Sequence, residues 1–122
     1  MNKKNQSHQV IEYMFDAKGQ SLGRFASLVA VHLRGKMLTN FKFHVTPNVR
    51  ILIKHIDQLD ISEKKLSTHT VNTFSGYPGG LKQPLWQIKF AQNPQKFFMR
   101  VVEHMMPKNR LSHSITKQVK FL

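Results

Sequence analysis

Val49-Arg50-Ile51-Leu52-Ile53-Lys54-His55-Ile56 is the segment that most restricts the folds open to this chain. A short apolar run rich in β-branched residues reads as a strand covered on both faces, the setting of a parallel sheet. Upstream, Val10 to Phe15 reads as another strand, with β-branched and aromatic side chains. The stretch between them carries the marks of a helix. Asp16 to Gln20 is a turn, Ser21 is placed to cap the helix, and Gly35 is its C-terminal stop. Leu22, Phe25, Ala26, Val29 and Leu33 share one helical face, leaving Arg24, Ser27, Val31 and Arg34 mostly on the other.

The remainder extends this pattern. Lys36 to Asn48 is an exposed excursion holding Phe41, Lys42, Phe43 and His44. Gln58 to Lys65 reads as a polar turn region and Leu66 to Phe74 as a short strand or extended segment. Pro84 to Gln92 suits a helix, and Asn93-Pro94 caps a clearer one. In that second helix Phe97, Phe98, Val101, Val102, Met105 and Met106 form one arc; Lys96, Arg100 and Glu103 form the other. Pro107 ends it. The expected fold is therefore α/β: three layers, α/β/α, around a small, mostly parallel four-stranded sheet. At 122 residues the chain suits one domain over 1–122. Residues 1–9 form a polar N-terminal extension, and 107–122 a basic C-terminal segment.

Charge narrows the partner. Lys and Arg number 19 against 6 Asp and Glu, a formal net charge of +13. From Lys64 to Leu122 there are ten basic residues and one acid, Glu103. Such an excess on a small domain points to a polyanion. With no long apolar run and no isolated basic amphipathic helix, nucleic acid is favoured over a membrane surface. Cysteine is absent, which excludes disulfide scaffolds, thiolate zinc sites and cysteine nucleophiles. Met1 to Gln9 lacks an apolar signal region, so no passage through a membrane is expected.

Ser75-Gly76-Tyr77-Pro78-Gly79-Gly80-Leu81-Lys82 supplies the most specific local signal. Glycine admits positive φ and close approach, and proline stiffens the turn. Tyr77 then offers a stacking face and Lys82 a cation, a combination suited to phosphate and bases. Arg24 beside Gly23, with Arg34 and Lys36 one helix length away, adds guanidinium forks that grip phosphate in a bidentate way. Lys108, Arg110 and Lys117 lie in an acid-free tail. The expected nucleic-acid residues are thus Arg24, Arg34, Lys36, Gly76, Tyr77, Pro78, Gly79, Gly80, Lys82, Lys108, Arg110 and Lys117. Phe41, Phe43 and Phe74 are read as core, the commoner fate of phenylalanine.

Catalytic readings find little support. The seven histidines show no His-x-x-x-His or His-x-His spacing, so no metal site is expected. Ser75 lacks the Gly-x-Ser-x-Gly elbow, and the glycine loop has neither P-loop nor dinucleotide spacing. No catalytic residue, cofactor or small-molecule substrate is expected. A small nucleotide-binding α/β enzyme is the rival from another class, and a free regulatory RNA-binding module is the rival within RNA binding.

Three blocks, in order, make the chain similar to a known family. They are Asp16-Ala17-Lys18-Gly19-Gln20-Ser21-Leu22-Gly23-Arg24-Phe25-Ala26-Ser27 with Arg34-Gly35-Lys36; Ser75 to Lys82; and Met105-Met106-Pro107-Lys108-Asn109-Arg110-Leu111. The chain resembles the universal large-subunit ribosomal protein thirteen family, in its bacterial and organellar form. The family pattern can be laid on residues 12 to 122 without a gap; Glu12, Asn48-Val49, Phe74, His104 and Ser112-His113 depart from it. The resemblance implies a structural constituent of the large ribosomal subunit, without enzymatic activity, that binds large-subunit ribosomal RNA and supports assembly and translation. It also implies neighbouring large-subunit proteins as partners and a ribosome in the bacterial cytoplasm or an organellar matrix.

Overall fold

The computed structural model describes residues 9–122; most of the expected N-terminal extension lies outside them. β1 (Ile11–Asp16) runs into a turn and then α1 (Leu22–Leu33), which returns the chain to the start of β2 (Val49–Lys54). β1 and β2 pair in parallel, Ile11 opposite Val49 through Asp16 opposite Lys54. After a 3₁₀ turn at Ile56–Gln58 come α2 (Glu63–Thr68), β3 (Thr73–Phe74), β4 (Leu81–Lys82), α3 (Trp86–Gln92), α4 (Pro94–Met105), α5 (Arg110–Thr116) and β5 (Val119–Phe121). β5 pairs in parallel with β2, which makes β2 the middle strand of β1-β2-β5.

The α/β class and the parallel sheet are as expected, but the strand count is not. The main sheet has three strands, and β3 and β4 form a separate antiparallel pair. Each of β3 and β4 is two residues long and exposed, and their one apolar pair, Phe74 opposite Leu81, is left in solvent rather than buried against the main sheet. The polar stretch before them also differs from expectation: Glu63–Thr68 is helical, and the Ser62 side chain accepts from the Lys65 backbone N–H at 3.4 Å.

The core lies on one side of the sheet. Val49, Ile51 and Ile53 are buried, while Arg50, Leu52 and Lys54 between them are half-buried. Tyr13 and Phe15 on the same side meet His32 and Phe25 of α1, and Phe98 of α4 packs on both Phe25 and Phe121. The opposite side carries Glu12, Met14, Asp16 and Lys120, all exposed, with Arg50 and Glu12 paired at 2.7 Å. Among the described residues, helices therefore cover one side of the sheet, where a layer on each had been expected. The run in β2 is an alternation that Leu52 disguises.

Helix faces follow the sequence reading. Leu22, Phe25, Ala26, Val29 and Leu33 are buried in α1, and Phe97, Phe98, Val102 and Met106 are buried along and just beyond α4. Met105, expected in that arc, is exposed against Ser27 of α1, 3.5 Å from its hydroxyl. Ser21 holds the capping position without a side-chain cap bond. Its backbone bridges to Asp60 instead, and the Leu22 N–H donates to the Asp60 carbonyl. Asn93 does cap α4, accepting from the Lys96 N–H at 3.0 Å, with Pro94 at the first position.

Candidate nucleic-acid interface

The parallel sheet has two unlike ends. At the C-terminal end of β1 and β2 stand Asp16, Asp57 and Asp60, with Glu63 a few residues further along the chain. Asp16 accepts from the Lys18 backbone N–H and from His55 Nδ1, each at 3.0 Å. The Lys18 bond first, and His55 second, hold its carboxyl below the usual value. In open α/β sheets, ligands bind beyond the carboxyl ends of the strands. Here three of the six acids of the chain are interleaved with Lys18, Arg24 and Lys54, and the charge is mixed.

The opposite end gathers cations. α1 runs back along the sheet, so Arg34 and Lys36 arrive where β1 and β2 begin. Pro107 to Leu111, between α4 and α5, reach the same end, as does Lys117 just before β5. Gln118 next to it donates from Nε2 to the Pro47 carbonyl at 3.0 Å. The junction is held rigidly: Asn109 Oδ1 accepts from the Ser112 N–H at 2.8 Å and from the Ser112 hydroxyl, which also reaches the Pro107 carbonyl. This lets Lys108 and Arg110 project without helping to hold the fold. A cleft of about 160 Å³ opens here, lined by Arg34, Phe41, Lys42, Phe43, Pro107 and Asn109 together with Met106, Leu111 and Ile115.

Thus Arg34, Lys36, Lys108, Arg110 and Lys117, widely separated in sequence, come together at one end. Arg24 does not join them. It is exposed near the start of α1, and ten residues of helix at ~1.5 Å each set it about 15 Å from Arg34 along the axis. Gly76, Tyr77, Pro78, Gly79, Gly80 and Lys82 form a third place, the tip and arm of the β3–β4 hairpin. The base of the hairpin is tied down: Val71 N–H donates to the Pro84 carbonyl at 2.9 Å, and Arg100 Nη2 to the Asn72 carbonyl at 3.4 Å. At the tip Tyr77 is 76% exposed.

Backbone geometry explains the glycines of the tip. Gly79 has φ +75°, the left-handed region that glycine enters freely. Gly80 is required by space, since a Cβ there would sit 2.0 Å from Ser75 Oγ and 3.0 Å from the Tyr77 carbonyl oxygen. That same carbonyl accepts from the Gly80 N–H, closing the turn at 3.0 Å.

Two aromatic residues were misread. Phe43 is 75% and Phe74 65% exposed, so neither is core; Phe41 is half-buried. Phe43 lies edge-on to Phe41 at 5.0 Å and beneath the Arg34 guanidinium, 5.9 Å from the ring centre. The available signal was position: Phe41-Lys42-Phe43 lies in a stretch with neither helical nor strand period, where aromatics have no face to bury.

A small α/β core with a group of cations gathered where its parallel strands begin describes a basic protein whose exposed end suits a polyanion. A family model described as Ribosomal protein L13 matches residues 11–121, and the chain belongs to that family. Large ribosomal subunit protein uL13 of Psychrobacter sp. (strain PRwf-1) is 33% identical over 108 residues, which cover 88% of this chain and 76% of that protein. The uL13 of Brevibacillus brevis is 36% identical over 108 residues, 88% of this chain and 74% of the relative. For Thermotoga petrophila the values are 33%, 88% and 72%.

Proposed function

We propose that the chain is a structural protein of the large ribosomal subunit that binds large-subunit ribosomal RNA and supports subunit assembly and translation. It acts as one domain, among neighbouring large-subunit proteins, and its work is to hold RNA rather than to catalyse. The bacterial relatives favour a ribosome in bacterial cytoplasm. The observation that carries the RNA-binding reading is the convergence of Arg34, Lys36, Lys108, Arg110 and Lys117 on one end of the sheet, in a member of the L13 family. Arg24 and the hairpin, with Tyr77 and Lys82 carried on the Gly76-to-Gly80 turn, supply two further contacts. No helix of the described residues is long and apolar enough to cross a membrane.

Salt dependence of binding to large-subunit ribosomal RNA tests this. Each phosphate contact contributes about −0.7 to −0.9 to the slope of log K against log salt, so several contacts give a slope of several units. Arg34→Ala and Lys108→Ala are each expected to reduce that slope by about one contact's worth. An affinity that hardly changes with salt would overturn the proposal.

A further inference from the structure

The cleft beside Arg34 holds something that phosphate binding does not explain. Phosphate needs cations and N–H donors, yet the cleft walls are Phe41, Phe43, Met106, Leu111 and Ile115. Two of its lining residues are charged, Arg34 and Lys42, and Lys108 and Arg110 alternate with the lining residues Pro107, Asn109 and Leu111. No acid lines it. An apolar, aromatic lining with cations among and beside it matches a ligand that is itself a flat ring attached to an anion. We propose that this cleft receives a single unstacked nucleobase of RNA, lying on Phe43 while the neighbouring cations hold the phosphates on either side. The assignment rests on the RNA-binding reading above and adds a site to it.

Three features favour a base over a protein side chain. Phe43 is held out of the core with most of its surface in water, backed edge-on by Phe41 and overlaid on one side by Arg34. Aromatic rings and guanidinium planes placed so are the usual platforms for splayed bases. The volume, about 160 Å³, is close to that of the ~150 Å³ cavity that takes up one benzene ring. Finally, Asn109 lines the cleft with its oxygen fixed by the Ser112 bonds, which orients an amide beside the proposed base edge.

The test compares two probes of equal charge: a single-stranded RNA of about eight nucleotides and an abasic ribose–phosphate strand of the same length. The full chain is expected to bind the base-bearing strand about ten-fold tighter, the range expected for one stacked base. Phe43→Leu keeps an apolar side chain and removes the ring, so it should erase most of that preference while leaving the salt slope unchanged. Equal affinity for the two strands would overturn the base site, and the RNA-binding reading would stand if large-subunit ribosomal RNA were still bound with a steep slope. Failure to bind that RNA at all would remove both. If Phe43→Leu instead costs the chain a protein neighbour in the subunit, with no preference between the strands, the cleft is a protein contact and the base site is wrong.

Discussion

Tyr77 and Gly79 share one turn and do different work. Tyr77 is mostly in solvent, so Tyr77→Ala should leave stability within the roughly ±0.5 kcal/mol usual at surfaces. If a base rests on its ring, the same change weakens binding to large-subunit RNA by about 1–3 kcal/mol. A drop in thermal stability with incorporation into subunits unchanged would make the loop structural. Gly79→Val forces a branched side chain to φ +75° and should cost about 1–2 kcal/mol or more in the turn, read by urea unfolding of the free protein. Asp16 gives a pH-dependent case. A carboxyl held below its usual value binds its proton less readily when folded. Its contribution is therefore complete above the ordinary carboxylate value and lost as pH falls through the lowered one. Asp16→Asn should be slightly less stable than the parent at neutral pH, with the gap closing toward acid; a gap that widens on acidification would reverse that sign.

Among the elements, α4 binds the two ends of the sheet together. Phe98 touches Phe25 and Phe121, and Met106 closes the cleft at the other end. Phe98→Ala should cost about 3–5 kcal/mol and Asn93→Ala about 0.5–2 kcal/mol, both measured by chemical denaturation. Equal, small losses from the two would contradict the placing of Phe98 at the centre of the core. Both α1 and α4 were legible because their apolar residues recur at helical period over three turns. The end of the chain was not. Leu111, Ile115, Val119 and Phe121 are too few to show a period, and only pairing with β2 makes a strand of the last two. α2 was missed although Ser62-Glu63 is a helix start, because the six-residue helix buries no side chain.

The whole molecule gathers Arg34, Lys36, Lys108, Arg110 and Lys117 at one end of its sheet, and this is where sequence reading stopped short. Composition gave the sign of the partner, and local motifs gave candidate cations, each correctly placed off the apolar faces. Their convergence depends on α1 reversing direction and on β5 returning beside β2, both tertiary facts. Arg24, Arg34 and Tyr77 occupy three separate places in the structure, and under the proposed function they would meet separate RNA segments. The open side of the sheet, with Arg50 and Glu12 across it, likewise needed the structure to be seen. The most direct test of the central claim is sedimentation of the tagged chain from its own cells through a sucrose gradient at moderate salt. The account predicts that it travels with the large subunit and its RNA, and is released as salt rises. A chain that stays at the top of the gradient at every salt concentration, free of ribosomal RNA, would contradict it.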